Sequence, residues 1–263
     1  MLPNYMQIWG PGHNYGMRLK PFHFREELGW APDLDELNDA VSERTKLIAV
    51  CNPNNPTGYI LTEAEMDGVV AAAARVGGLA PGRRGVQRRR AADRHPDALI
   101  LRPVRQGVGH ERPEQSLRSA GGLRIGWVVG PVDIVDEIWA RREYMTISTT
   151  MLANRLAVIA LSPQVRPRLI QRVRDCIRGG FSILDGWLES HEGTFSLIPP
   201  RAASIAFPRY HLDINSTEMV ERLIHEKSVL IVPGDHFGLD HLLRISFACR
   251  PTTSGRAWIA FTS

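Results

Sequence analysis

The sequence predicts an α/β protein, with a mostly parallel doubly wound sheet in a large domain and a smaller α+β domain at the C-terminal end. Three observations lead to this fold class. The short apolar run Leu47–Val50 is typical of a buried parallel strand. Helical patterns stand directly before and after it, as in a sheet covered on both faces. Beyond the longer helical patterns, short strands alternate with one further helix. We therefore expect domains at 1–160 and 161–263.

The helix before the strand is predicted by its start signal. Asp33 is a favourable N-cap residue, and Glu36 places an acid at the third helical position. Leu34, Leu37 and Val41 then repeat at helical spacing. This pattern predicts a short amphipathic helix that leads into the strand.

The later elements follow the same rules. Thr62 and Glu65 match a capping box in front of an apolar helix body. Apolar residues at helical spacing predict helices over 154–161 and 169–188, although Gly179-Gly180 weakens the second. A strand is also expected at 125–129. In the smaller domain we expect strands at 204–207 and 229–232, and a helix at 217–227 with Met219, Val220, Leu223 and Ile224 inward.

The stretch 51–58 reads Cys-Asn-Pro-Asn-Asn-Pro-Thr-Gly and cannot continue the strand that precedes it. Proline lacks an N–H and pushes the residue before it out of the α region. The chain must therefore turn at the carboxyl end of a parallel strand, where open α/β sheets bind their ligands. An ordinary strand-to-helix connection needs only one proline or glycine. We therefore predict that this octet is a ligand-binding loop.

The composition is that of an ordinary globular protein. The chain has 263 residues, of which 43% are hydrophobic, and this is ample for a core. Cys51, Cys176 and Cys249 are odd in number, widely spaced and without a metal-binding pattern, which predicts a reduced, cytoplasmic setting and no metal site. No apolar stretch reaches the ~20 residues of a membrane helix, and the start lacks a signal-peptide pattern, so no membrane partner is expected.

The net charge of +4 comes from one window of the sequence. Residues 81–120 hold ten arginines against four acidic residues. One interpretation is a disordered basic insertion that binds nucleic acid. However, the window contains no lysine and no aromatic side chain on which a base could stack. We therefore rank a nucleic-acid partner below a small-molecule site.

Three blocks together resemble a known family. The octet is similar to the signature of class I/II aminotransferases that depend on pyridoxal phosphate and have fold type I. Residues 122–131, Gly-Leu-Arg-Ile-Gly-Trp-Val-Val-Gly-Pro, resemble the stretch just after that family's Schiff-base lysine. Residues 232–248 resemble its C-terminal segment that binds the substrate carboxylate. The order and separations also match, so the chain is identified as a member of this aspartate aminotransferase superfamily.

The resemblance implies roles for four residues. Tyr5 would stack on the cofactor ring, and Asn55 would donate its side-chain amide to the 3′ oxygen of the cofactor. Arg124 would grip the cofactor phosphate, and Arg244 would take the α-carboxylate of the substrate. An ordinary tyrosine, a turn asparagine and surface arginines are the alternatives. The expected surface or packing histidines are His225, His236 and His241.

The resemblance also implies an activity. Family members transfer an amino group between an amino acid and a 2-oxo acid with pyridoxal 5′-phosphate as the electron sink, usually as homodimers. It further implies that the chain begins in mid-domain, so that the large domain is incomplete and lacks the Gly-rich turn expected to hold the cofactor phosphate. Other fold-type I activities, such as a lyase or a synthase, stay open, as does a non-catalytic binder of the cofactor. The sequence does not name the amino acid substrate.

The Schiff-base lysine is missing where the family has it, and a frame shift explains its absence. When residues 82–87 are back-translated and read one base later, they can give Ala-Asp-Glu-Val-Tyr. Residues 112–119, shifted likewise, can give Gly-Leu-Ser-Lys-Ala-Tyr-Gly. These are the two motifs that the family carries in this interval. We therefore interpret 78–121 as an out-of-frame translation, and the tail after Cys249 similarly.

In the shifted frame, the codon of each missing residue overlaps two neighbouring codons of the chain as written. The lysine straddles Gln115 and Ser116, and the aspartate that keeps the pyridine nitrogen protonated straddles Arg83 and Arg84. The tyrosine that would contact the cofactor phenolate is lost in the same way. We therefore expect the chain as written to be inactive and poorly folded, because its sheet would lose central strands.

Overall fold

The computed structural model describes residues 1–77, 99–101, 123–126 and 132–247. These residues belong to two compact units. The described part of the first unit is 1–77, 99–101 and 176–247, and that of the second is 123–126 and 132–175. The domain boundary predicted after residue 160 stays a prediction.

The first unit opens with helix α1 and a short antiparallel hairpin. Helix α1 (Met6–Asn14) is followed by strands β1 (Phe24–Arg25) and β2 (Ala31–Pro32), which pair antiparallel. The segment around Leu2 lies beside this hairpin, since its N–H donates to the carbonyl of Phe22 at 2.8 Å and its carbonyl accepts from the N–H of Phe24 at 2.7 Å. These hydrogen bonds hold the segment around Leu2 against the β1–β2 hairpin.

Helix α2 (Leu34–Ala40) begins where the sequence predicts. The side chain of Asp33 accepts the backbone N–H of Glu36 at 2.9 Å, which satisfies one of the unpaired donors of the first turn. The carboxylate of Glu36 itself turns to His23, where it accepts from the backbone N–H at 2.8 Å and lies 2.7 Å from Nδ1. The cap is therefore local, whereas Glu36 ties the helix to the hairpin.

The predicted strand and its following helix are both present. Strand β3 (Leu47–Ala49) runs parallel to β4 (Leu99–Leu101), with Ile48 opposite Ile100. Helix α3 (Glu63–Gly77) starts at the capping box, in which the N–H of Glu65 donates to the hydroxyl of Thr62 and the N–H of Thr62 donates back to the Glu65 carboxylate. Helix, strand, loop and helix therefore follow one another as the sequence predicts.

The C-terminal part of the first unit is a small α+β layer. Helix α6 (Arg166–Glu189) enters it, followed by β5 (Phe195–Ser196), β6 (Ile205–Ala206), β7 (Arg209–Tyr210), helix α7 (Ser216–Lys227), β8 (Val232–Pro233) and β9 (Leu243–Ser246). Strand β9 lies between β6 and β8 in an antiparallel sheet, and β5 pairs antiparallel with β7. Arg244 therefore sits on a central strand.

Two apolar clusters hold the first unit together. One gathers side chains of the hairpin, β3, the segment just after the octet and α3 around Trp30 and Val69. The other packs α6 and α7 against β9, with Leu184 and Leu243 fully buried. Because the sheet face of β9 that carries Leu243 and Ile245 is buried in this second cluster, Arg244 projects to the opposite face.

The second unit contains α4 (Val132–Arg142), α5 (Met151–Leu161) and the first half of α6. The hydroxyl of Thr150 caps α5 by accepting the N–H of Ala153 at 3.3 Å. Helix α5 buries small side chains rather than large ones. The buried residues are Ala153, Ala157 and Ala160.

Several local expectations differ from the structure. Helix α6 continues through Gly179-Gly180, because flanking apolar residues such as Ile177 and Phe181 pack against the second cluster. Strand β8 begins at Val232 instead of residue 229. The side chain of Ile224 is 40% exposed, so its predicted inward orientation is wrong, although Met219 and Val220 are buried as expected.

Two further expectations concern the strand at 125–129 and the lack of a membrane helix. Ile125 and Gly126 have irregular backbone, and the rest of the strand predicted at 125–129 lies outside the described residues. Among the helices that the structure describes, none combines the length and the apolarity that crossing a bilayer requires.

Candidate active site

The octet loop is organised around the side chain of Asn54, which is 1% exposed. Its Oδ1 accepts both the backbone N–H of Thr57 at 3.1 Å and the Thr57 hydroxyl at 2.8 Å. Its backbone N–H donates to the carbonyl of Tyr59, and its carbonyl accepts from Gly58. With these buried polar groups paired to one another, the loop has one strongly favoured conformation.

Asn54 also joins the octet to the start of the chain. Its Nδ2 donates to the carbonyl of Pro3 at 3.1 Å. Two residues further on, Tyr5 stands at the N-terminus of α1 with its side chain 41% exposed, and its backbone N–H donates to Oδ1 of Asn4 at 2.7 Å. The predicted stacking residue therefore lies two positions after the residue that Asn54 binds and is partly exposed, while its role on a cofactor stays a prediction.

Gly58 closes the octet in a conformation that favours glycine. Its φ is +70°, and a Cβ built there would lie 2.4 Å from the Cβ of Pro200 and 2.7 Å from the carbonyl oxygen of Ala202. The Gly58 carbonyl in turn accepts the N–H of Ala202 at 3.1 Å. The glycine is needed because the loop before β6 passes directly over it.

Tyr59 anchors the far end of the loop. Its ring is buried, its hydroxyl donates to Glu65 at 2.8 Å, and the guanidinium of Arg201 lies 5.2 Å from the ring centroid. Burial, together with the hydrogen bond and negative charge of Glu65, raises the pKa of Tyr59 to about 12. The phenol is therefore a neutral, structural group at physiological pH rather than a base.

Asn55 and Arg244 meet in the structure. The guanidinium Nε of Arg244 donates to Oδ1 of Asn55 at 3.1 Å, and both side chains are half-buried. An asparagine side chain has one carbonyl acceptor and one NH₂ donor group. Because the carbonyl holds Arg244, the NH₂ group is the part of Asn55 that can donate to a ligand oxygen.

Arg244 is suited to bind a planar acid. A guanidinium is always charged, and its fork of donors matches a carboxylate in a bidentate arrangement. Burial of the neighbouring Leu243 and Ile245 fixes the backbone of the strand from which the side chain projects. The site therefore presents an amide donor and a cation side by side.

Arg124 belongs to the second unit and is exposed, with a positive φ of 53°. Its role as a phosphate ligand stays a prediction. The lysine expected near Gln115 and Ser116, the aspartate expected near Arg83 and Arg84, and the tail after Cys249 lie outside the described residues.

Sequence reasoning missed Asn4. Its side chain is 4% exposed, and its Nδ2 is a buried donor with no hydrogen-bond partner. Such an atom costs roughly 1–3 kcal/mol when it stays unpaired. The sequence signal is weak, because a single asparagine after Pro3 is also typical of a turn.

The histidines were expected to be surface or packing residues. His241 stacks on Tyr210 with 5.3 Å between ring centroids and lies 3.4 Å from a carboxylate oxygen of Asp240. His225 stands in the last turn of α7, and His236 in the 3₁₀ turn after β8. These positions agree with a packing role for His241, and His225 and His236 are exposed, as expected for surface residues.

Comparison with known proteins decides the family. A family model described as aminotransferase class I and II matches residues 3–80 and 118–257. The chain belongs to the class I and II aminotransferase family. The matched ranges leave out 81–117, which is most of the arginine-rich window.

Curated relatives of this aminotransferase chain have several activities by name. Capreomycidine synthase from Streptomyces vinaceus is 32% identical over 260 residues, covering 94% of this chain and 62% of the relative. Histidinol-phosphate aminotransferase from Moorella thermoacetica is 29% identical over 219 residues, covering 83% of this chain and 54% of the relative. The chain thus spans between about half and two thirds of the length of these relatives.

Solved structures confirm the predicted fold type. A pyridoxal-phosphate-dependent aminotransferase from Streptococcus suis superposes with a TM-score of 0.81 and 27% identity, covering 99% of this chain and 68% of that one. An aspartate aminotransferase from Thermus thermophilus, solved with maleate, superposes with a TM-score of 0.79 at 20% identity, which supports the fold alone. The aminotransferase chain is therefore a fold-type I protein with an α/β architecture.

Members of this family use pyridoxal 5′-phosphate, and the described residues fit part of that group. The NH₂ group of Asn55 and the exposed ring of Tyr5 are suitable for a pyridine ring that carries an oxygen, and Arg244 is suitable for a carboxylate. The covalent attachment does not fit. The family's Schiff-base lysine is expected near Gln115 and Ser116, but the three lysines of the sequence are Lys20, Lys46 and Lys227.

Proposed function

We propose that the site belongs to an enzyme that transfers an amino group between an amino acid and a 2-oxo acid, with pyridoxal 5′-phosphate as cofactor. The observation that carries the proposal is the 3.1 Å contact between Arg244 and Asn55. It joins a residue of the octet to a residue of the C-terminal segment. These are two of the three blocks on which the resemblance to the family rests.

The proposed roles follow from the chemistry of each side chain. Arg244 binds the α-carboxylate that all amino acids and 2-oxo acids share, so it orients the substrate without selecting its side chain. Asn55 donates to the 3′ oxygen of the cofactor, Tyr5 stacks on its ring, and Arg124 binds its phosphate. The cofactor, when bound, supplies the electron sink for the reaction. The substrate side chain is therefore recognised by other residues.

The chain as written lacks the lysine that this reaction needs as its proton carrier. We propose that the lysine is encoded one base out of frame between residues 78 and 121. The family model supports this interpretation, because it matches on both sides of the window and leaves 81–117 unmatched. In the corrected frame the lysine and aspartate motifs both return.

The first experiment is to resequence the coding DNA from the codon of Val70 to that of Trp127. If one base must be removed near Gly78 and the frame restored near Gly121, the corrected protein should transfer amino groups from amino acids to 2-oxo acids. It should lose this activity when the restored lysine is changed to alanine. A corrected protein that binds the cofactor but transfers no amino group from any amino acid would overturn the proposal.

Two other functions have a specific observation in their favour. A non-catalytic binder of the cofactor is favoured if the DNA encodes the chain as written, because the sequence has no lysine near Gln115 and Ser116, where the family's Schiff-base lysine is expected. A different fold-type I reaction is favoured by the relative that is named capreomycidine synthase. Product analysis with the corrected protein separates transamination from a lyase or synthase reaction.

We also propose that the chain forms a homodimer in the cytoplasm. Helix α5 supports the dimer, since it buries alanines and leaves its large apolar side chains in solvent, among them Leu152 and Val158 at 70% and 71% exposure. A group of exposed large apolar side chains is typical of an interaction surface. The cytoplasmic setting rests on the odd, widely spaced cysteines of the sequence.

A further inference from the structure

A small cavity belongs to the second unit, between the end of α4 and the start of α5. Its volume of about 280 Å³ suits a small molecule. The residues that line it come from the last turn of α4, the connecting loop and the first turn of α5: Trp139, Arg142, Ile147, Ser148, Thr149 and Asn154. None of them belongs to the octet or to β9.

Arg142 gives this cavity a positive charge. Its Nε donates to the hydroxyl of Thr146 at 3.1 Å, and the guanidinium is half-buried. Among the described residues no carboxylate forms an ion pair with Arg142, and the nearby Glu137 pairs with Arg141 instead. An arginine side chain has five N–H donors. The N–H groups of its two terminal nitrogens are therefore available to a ligand.

The loop that closes the cavity holds Ile147 in a strained conformation. Its φ is +57°, and the N–H of Ser148 donates across it to the carbonyl of Thr146 at 2.6 Å. A left-handed backbone is an outlier for a β-branched residue, and strain of this kind is common at ligand sites. The side chain of Ile147 is 77% exposed and that of Trp139 is 65% exposed. Two large apolar side chains therefore line the cavity while they remain in solvent.

We infer that this cavity binds a small carboxylic acid with a flat apolar body. The guanidinium of Arg142 takes the carboxylate in a bidentate arrangement. The ring of Trp139 and the side chain of Ile147 cover the body of the ligand, which buries apolar surface that is otherwise exposed. The hydroxyls of Ser148 and Thr149 can donate to the remaining lone pairs of the carboxylate.

Fluorine NMR titration of the full chain with 4-fluorobenzoate tests the inference. Two further probes separate its parts. The uncharged 4-fluorobenzamide keeps the flat body, and inorganic phosphate, measured by competition, keeps a negative charge without that body. We expect 4-fluorobenzoate to bind with a Kd of about 1 mM, and each of the other two to bind at least about tenfold more weakly.

Arg244 could bind the same probe, so the variants are compared in a chain that carries Arg244→Gln. This chain should retain the binding. In it, Arg142→Gln should lower the affinity at least about tenfold, and Arg142→Lys, which keeps the charge without the fork, about threefold. Arg155→Gln is the matched control and should leave the affinity unchanged, because Arg155 is an exposed arginine of α5 that does not line the cavity.

Ile147→Gly should change stability and binding in opposite directions. Glycine adopts a φ of +57° without strain, so the denaturation midpoint should rise. The affinity for 4-fluorobenzoate should fall, because the variant lacks one apolar wall of the cavity. A variant that binds the probe as tightly as the parent chain would contradict the proposed site.

Three other results would overturn the inference. One is binding that disappears with Arg244→Gln and survives Arg142→Gln, which would place the carboxylate at Arg244 alone. Another is the absence of any preference for the benzoate over the benzamide, including no binding of either. The third is an equal loss with Arg155→Gln and Arg142→Gln, which would indicate general electrostatic attraction. Because no cavity residue has a role in the proposed amino-group transfer, each of these results leaves that function untouched.

Discussion

The guanidinium of Arg244 donates to the side-chain carbonyl of Asn55 across 189 positions of sequence. One residue lies in the loop after a parallel strand, and the other lies on the central strand of an antiparallel sheet. Their contact places the guanidinium of Arg244 next to the amide NH₂ group of Asn55 in one half-buried site. A ligand with a carboxylate next to a hydrogen-bond acceptor can use both.

Changing Asn55 to aspartate should weaken carboxylate binding more than changing it to alanine. Aspartate places a negative charge against Arg244, where it competes directly with the carboxylate of the ligand. Alanine removes the hydrogen bond but introduces no negative charge that competes for the arginine. We expect at least about a tenfold loss of affinity for phosphopyridoxyl-alanine with Asn55→Asp and a smaller loss with Asn55→Ala, measured by calorimetry. A larger loss with alanine would contradict the proposed role of the pair.

Gly58→Ala should destabilise the first unit. The new Cβ would approach Pro200 and Ala202 to within 2.4 and 2.7 Å, at a residue whose φ is +70°. Backbone strain of this kind costs about 1–3 kcal/mol. Urea denaturation should show this loss in the free energy of unfolding.

The control for that substitution is Gly186→Ala in helix α6, where a Cβ would meet nothing within 4 Å. Alanine in a helix interior is favoured over glycine by about 0.5–1 kcal/mol, so this change should stabilise the protein. Equal effects of the two substitutions would mean that the tight approach at the end of the octet has no energetic consequence.

The cap of α2 should make stability sensitive to acid. Hydrogen bonds from the backbone N–H of Glu36 and from the Arg25 side chain hold the pKa of Asp33 below its ordinary value of 3.8. A carboxyl with a lowered pKa in the folded state contributes stability above its unfolded pKa and loses it as the pH falls through the folded one. The Asp33 contribution should therefore be complete at pH 7, start to fall as the pH approaches 3.8, and be lost once the pH is below the lowered pKa of the folded state.

Asp33→Asn isolates the charge, since asparagine is also a good N-cap residue. At pH 7 the variant should have a lower denaturation midpoint than the parent chain, because its amide cannot form the ion pair with Arg25. The difference should shrink to zero in acid. A constant difference from pH 7 to pH 3 would show that the carboxylate charge is not responsible.

Leu152→Glu combined with Val158→Glu should disrupt the proposed dimer. Both side chains project from α5 into solvent, and a charge at either position cannot be buried against a second copy without a large cost. Size-exclusion chromatography with light scattering should show half the mass of the parent protein. Leu230→Glu is the control, because that leucine is 80% exposed outside the helix and should leave the mass unchanged. A monomeric parent chain would contradict the dimer proposal.

Local features of this protein were predictable from sequence alone. The capping pairs Asp33–Glu36 and Thr62–Glu65 each join residues three positions apart, so neighbouring side chains decide them without help from the rest of the fold. The octet loop was predictable for the same reason, because proline and glycine restrict the backbone directly.

The resemblance identified the two residues of the site, but not how they meet. Asn55 and Arg244 were expected to bind different parts of the ligand, and nothing in the linear sequence indicates that one would hold the other. The sequence pattern likewise did not predict the several hydrogen bonds of the Asn54 side chain or the buried Asn4 amide without a hydrogen-bond partner. Partners that lie far apart in the chain depend on how strands and loops are brought together.

The sequence by itself determined where helices begin, where the chain must turn and which residue types could bind an acid and a ring. Only the tertiary structure decided which side chains are exposed, as with Ile224 on α7, and which surface of α5 is buried. The physical reason is the sequence separation over which each kind of interaction acts. Capping and turn preferences act over a few residues, whereas burial and the contact of Arg244 with Asn55 result from packing between elements that the chain order leaves far apart.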